Sequence, residues 1–180
     1  WSPQAVFEQV HQDIKSRPWL SGGSLHFDES ADECSGGHKA GAARQYLGRS
    51  GKVDMGQVGV LGTYSKDGNW LLVGAELYLP GDWFKKPRLT KEWKRLHIPA
   101  ERKFQTKVEI ARDLFDQAVK ADLPFEWATA DSFYGRSFEF RRHVDGQGKK
   151  YLMSVPQDEL VWQGHPWEDA TSKGRPVSDL

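Results

Sequence analysis

The sequence predicts a mixed α/β fold, in which a sheet of parallel and antiparallel strands carries helices on its faces. Three observations predict this class. Apolar residues recur on both sides of a turn at residues 66–69, which indicates a β-hairpin. Helical spacing of apolar residues follows at 107–121. Short apolar runs of strand length lie before the hairpin and after the helix, an order that suits such a layered sheet.

The first half of the chain supplies one short strand, a loop and the hairpin. Residues 25–28 alternate weakly after a Gly-Gly turn, so we predict a short strand that ends at Asp28. Residues 30–56 are rich in Gly and Ser and predict a loop. The hairpin turn is Asp67-Gly68, which is common turn chemistry. The predicted strands are 25–28, 57–64, 70–79, 125–130 and 151–155, and the predicted helices are 107–121 and 136–144.

The second half begins with a basic, aromatic stretch at about 80–104, which Pro87 and Pro99 interrupt. We predict an irregular insertion there, with a short helical stretch. The helix at 107–121 opens with Thr106-Lys107-Val108-Glu109, which matches a capping box. The strand at 125–130 then leads directly into Asp131. After Pro156 the chain is polar, with Trp162 and Trp167 isolated in it, and we expect it to be loosely structured.

Length and composition exclude several classes of protein. The chain has 180 residues with 25 Lys and Arg against 25 Asp and Glu, so it is not a bulk polycation. With 38% hydrophobic residues, 18 Gly and many aromatics, it is expected to fold as one domain over residues 1–180. No run is long enough to span a membrane. Cys34 is the only cysteine, which excludes an internal disulfide and favours a reducing, cytoplasmic setting. Because the first residue is Trp1, we interpret the chain as part of a longer one.

Common catalytic motifs are absent from the sequence. Gly51-Lys52 lacks the first glycine and the Ser or Thr of a phosphate-binding loop. The glycines at 56–62 lack dinucleotide-binding spacing, and no serine nucleophile elbow is present. The six His include no i, i+4 pair, which argues against zinc.

Carboxylates are the remaining candidates for chemistry. Asp28 and Asp131 both fall at the carboxyl end of a predicted strand, where ligands of open α/β sheets bind. Two such acids can hold Mg²⁺, a hard cation that prefers carboxylates, water and phosphate oxygens. The same residues can instead cap turns. From the pattern alone both interpretations stay open.

An ordered series of motifs resembles the DDE transposases of bacterial insertion sequences. The resemblance covers about residues 25–156 and consists of blocks in the order of that family. The blocks are Phe27-Asp28-Glu29, Gly41-Ala42-Ala43-Arg44-Gln45-Tyr46, Gly48, Gly51-Lys52-Val53, Gln57-Val58-Gly59-Val60, Glu76-Leu77-Tyr78-Leu79-Pro80 with Trp83, Ile98-Pro99, Thr106-Lys107 and Ala130-Asp131-Ser132-Phe133-Tyr134-Gly135.

The resemblance implies an RNase H-like mixed sheet flanked by helices, with Asp28 and Asp131 as the first two acids of a D-D-E triad. It implies two Mg²⁺ (or Mn²⁺) ions as cofactors. The implied activity is metal-dependent cleavage at transposon ends, followed by attack of the freed 3′-hydroxyl on target DNA. The implied partner is DNA, both transposon ends and target, with no membrane. We leave open whether the full-length protein is a homodimer. The implied location is the bacterial cytoplasm, at the nucleoid when the protein is bound to DNA.

Two departures from the family favour an alternative, a catalytically inactive RNase H-like module that binds DNA or protein. The family's third acid is a glutamate on a late helix. Glu159 and Glu168 are in-chain candidates without that setting, so we expect the third acid beyond Leu180. The loop after Asp28 is also acidic at Asp32-Glu33, where the family carries basic residues. Another RNase H-like nuclease is a third interpretation.

The basic insertion is the predicted DNA contact, although a solvated surface would show the same charges. Trp83, Phe84 and Trp93 lie among these charges, and contacts from such a segment would be to phosphates. Tyr46 and Tyr134 lie near the acids and could either position DNA or pack in the core. Weaker candidates for contact with DNA phosphates are Lys39, Arg44 and Lys52. The candidate DNA-binding residues are Lys85, Lys86, Arg88, Lys91, Lys94 and Arg95.

Overall fold

Strands and helices alternate through the computed structural model, which describes residues 2–35, 39–161 and 174–179. The strands are β1 (Gly23–Glu33), β2 (Ala43–Leu47), β3 (Lys52–Lys66), β4 (Asn69–Tyr78), β5 (Phe125–Ala130), β6 (Lys150–Met153), β7 (Leu160–Val161) and β8 (Arg175–Pro176). The helices are α1 (Pro3–Lys15), α2 (Asp82–Lys85), α3 (Pro87–Thr90), α4 (Lys107–Lys120), α5 (Ser132–Gly135) and α6 (Phe138–Gly146). Short 3₁₀ turns occupy Pro18–Leu20 and Val177–Asp179.

A six-stranded mixed sheet organises these elements. Its order is β2-β3-β1-β5-β6, and β4 also pairs with β3. β1 runs antiparallel to β3 and parallel to β5, and β6 runs parallel to β5. An antiparallel hairpin thus lies on one side of β1 and two parallel strands lie on the other. This arrangement confirms the predicted mixed sheet flanked by helices and is consistent with an RNase H-like fold.

The helices cover one face of the sheet. Leu25 and Phe27 of β1 are buried in a core with residues of α1, α4 and α6, and the ring of Phe27 packs against Phe115 and Phe140. His26, which lies between them, and Asp28, which follows Phe27, point to the opposite face because side chains alternate along a strand. On that face the described part of the chain leaves large apolar side chains exposed, namely Trp70, Leu72 and Leu152.

The predicted loop at 30–56 is wrong. β1 continues from Asp28 to Glu33, and β2 and the first part of β3 also lie within this stretch. The three strands pair antiparallel, with Glu33 and Ala43 both opposite Gly56. Their Ser, Gly and charged residues have low strand propensity, so pairing between distant segments decides their conformation. Consequently Asp28 lies within β1 and not at its end.

The first helix, α1, was not anticipated either. Ser2 caps it, because its hydroxyl oxygen accepts a hydrogen bond from the Ala5 N–H at 3.4 Å, and Pro3 occupies the first turn. His11 and Ile14 of α1 are buried, and the His11 ring nitrogen Nε2 lies 2.7 Å from the Val73 carbonyl oxygen of β4. The Ser-Pro pair was therefore a helix-start signal.

Most other predicted elements are confirmed. The hairpin turns at Asp67-Gly68, both with positive φ, and α4 and β5 lie at the predicted positions. α6 begins two residues later than predicted, because the one-turn helix α5 precedes it. The insertion at 80–104 holds the short helices α2 and α3. It has its own apolar cluster around Trp83, whose indole N–H donates to the Ala42 carbonyl at 3.1 Å.

Two further observations concern the chain as a whole. Within the residues that the structure describes, no helix is long and apolar enough to cross a membrane. Trp162, Trp167 and Glu168 lie outside the described residues. For that part of the chain, the expectation of a loosely structured segment stays a prediction.

Candidate active site

Pairing between β1 and β5 brings the two candidate acids to neighbouring positions. The two strands are parallel, with Phe27 opposite Ala130. Asp28 is the next residue on β1, and Asp131 is the next residue after β5. Both acids line one open groove of about 840 Å³ on the uncovered face of the sheet.

Each acid uses one carboxylate oxygen to fix its own backbone. Asp131 is the N-cap of α5, and its Oδ1 accepts from the N–H groups of Phe133 at 2.9 Å and Tyr134 at 3.4 Å. Asp28 Oδ1 accepts from the Glu29 N–H at 2.7 Å. Among the described residues, no donor contacts Oδ2 of either acid. Asp131 therefore does cap the turn, as the alternative interpretation predicted. This role uses Oδ1 and leaves Oδ2 available to bind a cation.

Burial and the neighbouring carboxylates both disfavour the charged form of Asp28. Burial raises the pKa of Asp28, and the charges of Asp131 and Glu29 raise it further. The Glu29 N–H and the Lys107 ammonium act in the opposite direction and lower that pKa. A bound cation would relieve this repulsion, because it adds an opposite charge beside the two acids.

Three residues beside the acids form a contact that the sequence analysis did not single out. Glu29 accepts a hydrogen bond from the Tyr134 hydroxyl at 2.7 Å and pairs with the Lys107 ammonium at 2.8 Å. Burial, together with the adjacent Glu29 charge, raises the pKa of Tyr134 well above its ordinary value, so the hydroxyl stays protonated. All three residues lie within the motifs that resemble the transposases, and this was the feature of the sequence that could have indicated them.

The donor set fits a hard divalent cation. Mg²⁺ and Mn²⁺ prefer a few carboxylate oxygens completed by water and phosphate. Among the described residues, no group of three or more His, Cys, Asp or Glu is arranged to hold a metal. Glu159 pairs with Arg141 at 3.5 Å, so one candidate for the third acid is already engaged. The described part of the chain thus offers an open two-carboxylate site.

The groove continues along the sheet face beyond the acids. His26 lies between Thr129 and Ser65, with its ring nitrogens 2.5 Å and 2.6 Å from their hydroxyl oxygens. The indole of Trp70 stacks beside the imidazole at 4.8 Å between ring centroids. This part of the face is polar at its centre and apolar at its margin.

The basic insertion exposes most of its charges. Lys86 pairs with Asp82 at 2.7 Å and Arg95 with Glu92 at 2.5 Å. Among the described residues, four of the candidate DNA contacts have no ion-pair partner: Lys85, Arg88, Lys91 and Lys94.

The aromatic residues divide between core and surface. Trp83 is fully buried and Trp93 is partly buried in the cluster of the insertion, so Trp83 is not available to DNA. Tyr134 is buried as well, which supports its packing role, whereas Tyr46 is 60% exposed. Lys52 is paired with Asp54 at 2.9 Å and with Glu33 at 3.7 Å, which weakens its candidacy for phosphate contact.

Sequence comparisons relate the chain to known proteins. A family model described as DDE superfamily endonuclease matches residues 1–179. The chain is also 28% identical over 155 residues to a probable transposase for insertion sequence element IS701 of Microchaete diplosiphon. That match covers 86% of this chain but 36% of the relative, so the chain spans little more than a third of that protein. No solved structure gives a significant match.

Proposed function

Because the chain belongs to the DDE superfamily endonucleases, we propose that it is part of the catalytic core of a transposase and that Asp28 and Asp131 hold its divalent cations. The family and the transposase relative support a role in transposition. The observation that carries the finer proposal is the β1–β5 register, which sets the two acids side by side on an open face. Cleavage of transposon-end DNA and transfer of a 3′-hydroxyl to target DNA are the proposed reactions.

The roles of the two acids follow from their contacts. In Asp28 and Asp131, Oδ1 accepts the backbone hydrogen bonds that orient the carboxylate, and Oδ2 has no hydrogen-bond partner among the described residues. A divalent cation pair, when bound, supplies an activated water and stabilises the leaving oxygen of a phosphodiester. The groove is wide and open, so an extended substrate such as a DNA strand has access to both acids.

The metal proposal is tested by titrating Mn²⁺ into the chain and its variants by calorimetry. The chain should bind Mn²⁺, and Asp131→Ala and Asp28→Asn should each weaken binding by at least about tenfold, because each removes a ligand. Asp145→Ala, which removes an exposed acid of α6, serves as the matched control and should leave the affinity unchanged.

The titration also addresses the inactive module. A chain that binds no Mn²⁺, or variants that bind as tightly as the parent, would contradict the metal proposal. Those outcomes would favour a module that binds DNA or protein without catalysis, an alternative motivated by the acidic residues that follow Asp28.

We further propose that the basic insertion contacts the DNA backbone. The candidates remain Lys85, Lys86, Arg88, Lys91, Lys94 and Arg95, and the four without an ion-pair partner among the described residues are the strongest. An exposed positive segment attracts phosphates without choosing a sequence, so the binding should weaken steeply with salt.

A triple variant tests this contact by fluorescence anisotropy of a short labelled duplex. Lys85, Arg88 and Lys91 are replaced by Gln, and the control replaces Lys15, Arg112 and Lys120, exposed residues of α1 and α4. The first variant should lower the slope of log affinity against log salt by about 0.9 for each phosphate that the protein no longer neutralises. Equal slopes in the two variants would refute the contact.

A further inference from the structure

Three side chains meet beside Asp28 on the helix-covered side of the sheet, and we call Glu29, Lys107 and Tyr134 the brace. Glu29 Oε1 lies 2.8 Å from Lys107 Nζ, and Glu29 Oε2 accepts the Tyr134 hydroxyl hydrogen bond at 2.7 Å. The Lys107 ammonium also lies 5.8 Å and 5.4 Å from the ring centroids of Tyr78 and Phe133. Each polar group of the brace therefore has a partner.

Burial makes this contact more specific than a surface ion pair. Tyr134 is fully buried, and the side chains of Lys107 and Glu29 are 16% and 24% exposed. At such a position, removal of one partner leaves the other charge or hydrogen-bonding group without compensation. The contacts of the brace therefore restrict how β1, α4 and α5 can be placed relative to one another.

Those segments are the ones that carry the two acids. Glu29 follows Asp28 directly in β1. Tyr134 lies in the one-turn helix α5, whose backbone N–H groups are held by Asp131 Oδ1. Lys107 is the first residue of α4. The Tyr134–Glu29 hydrogen bond consequently links the backbone beside one acid to the turn that the other acid caps.

Glu29 already has a partner on each carboxylate oxygen, so it is less available to a cation than Asp28 or Asp131. Lys107 engages one of its carboxylate oxygens and Tyr134 engages the other. The Lys107 ammonium also offsets one of the three negative charges of Asp28, Glu29 and Asp131, which limits the repulsion that would otherwise push β1 and α5 apart.

We propose that Glu29, Lys107 and Tyr134 are positioning residues that hold Asp28 and Asp131 at the separation a shared divalent cation requires. This inference rests on the proposed metal-binding function of the two acids. None of the three is proposed as a ligand of the cation. They act by fixing the separation of the Asp28 and Asp131 carboxylates in the cation-free protein.

The test compares two tyrosines that differ in place but not in chemistry. Tyr134→Phe removes only the hydroxyl that bonds Glu29. Tyr64→Phe is the matched control, since Tyr64 is fully buried and its hydroxyl bonds the Leu20 and Pro124 carbonyls beside the start of β1. Both variants should lower the thermal midpoint. Only Tyr134→Phe should weaken Mn²⁺ binding, by about 10- to 100-fold in calorimetry, as expected for residues that orient ligands.

A second pair of variants keeps the test decisive if Tyr134→Phe fails to fold. Lys107→Met removes a positive charge, which by itself would strengthen Mn²⁺ binding, so a weaker affinity in this variant would report the lost positioning. We expect that weakening, and Lys107→Arg, which keeps the charge beside Glu29, should retain more of the affinity. Two outcomes would overturn the brace, provided that Asp131→Ala weakens Mn²⁺ binding as expected. One is equal weakening in Tyr134→Phe and Tyr64→Phe, and the other is no weakening in either Tyr134→Phe or Lys107→Met. A parent chain that binds no Mn²⁺ would instead overturn the proposed function, and the brace with it.

Discussion

Gly135 shows how one residue sets the position of a candidate acid. It ends α5, the turn that Asp131 caps, and packs against the end of β6. A Cβ atom at this position would overlap the Ser154 carbonyl oxygen and lie 3.1 Å from Met153 Cβ. The Ser154 N–H in turn donates to the Ala130 carbonyl at 3.1 Å. Only glycine lets the Asp131 turn approach the sheet this closely.

Gly135→Ala should therefore destabilise the fold by roughly 1–3 kcal/mol, the usual range for overpacking. The free energy of unfolding is measured by urea denaturation. Gly146→Ala is the matched control, because Gly146 ends α6 and a methyl group there would meet open space. The control should be neutral or stabilising by up to about 1 kcal/mol, given the helix propensity of Ala. Similar losses in both variants would contradict the close approach at Gly135.

Among the elements, α4 has the best-defined start, and that start places Lys107. The Thr106 hydroxyl oxygen accepts from the Glu109 N–H at 3.2 Å, and Glu109 Oε2 accepts from the Thr106 N–H at 2.7 Å. This reciprocal capping box satisfies two backbone donors at the helix end. Because Lys107 is the next residue after Thr106, the box also determines where the ammonium of the brace lies.

The capping box predicts a pH-dependent contribution to stability. The Thr106 backbone N–H, followed by its hydroxyl, lowers the pKa of Glu109 below its ordinary value of 4.5. A lowered carboxyl pKa stabilises the fold above pH 4.5, and this contribution is lost as the pH falls through the lowered value. Glu109→Ala should lower the thermal midpoint at pH 7, and the difference from the parent should shrink below pH 4.5.

Two comparisons control this prediction. Thr106→Ala, which removes the cap itself, should cost about 1 kcal/mol in urea denaturation at neutral pH. Gln117→Ala replaces an exposed residue of the same helix that carries no titratable group, and its effect should not change with pH. A Glu109→Ala deficit that stayed constant from pH 7 to pH 3 would show that the capping carboxylate is not responsible.

For the molecule as a whole, the main asymmetry is between the two faces of the sheet. α1, α4 and α6 cover one face, whereas on the other Trp70, Leu72 and Leu152 are exposed by 65%, 44% and 71%. All-parallel sheets normally have both faces covered, and the parallel strands β1, β5 and β6 make up half of this sheet. The described part of the chain therefore presents apolar surface next to its candidate active site.

This surface should bind the hydrophobic dye ANS in the native state. Leu152→Lys combined with Leu72→Lys should lower the fluorescence of bound dye, because a charge interrupts the apolar surface. Val6→Lys, at a 44% exposed residue of α1 on the other side of the molecule's core, should leave it unchanged. Equal emission from the parent and both variants would argue that the face is not accessible.

The sequence by itself determined the elements that rest on local signals and the family to which the chain belongs. Each of these signals is contained within a few consecutive residues, so it can be recognised from the sequence. The examples are the turn at Asp67-Gly68, the capping box of α4 and the apolar run of β5. The order of the motifs identified the two acids as candidates before any strand was paired.

Only the tertiary structure decided the rest. The extension of β1 to Glu33 depends on pairing with Gly56 of β3, and its polar residues carried no strand pattern of their own. The contact between Glu29 and Tyr134 joins residues 105 positions apart. Such contacts form because packing of α4 and α5 against the sheet lowers the free energy of the whole arrangement. Residue spacing along the chain does not encode that packing in any local pattern.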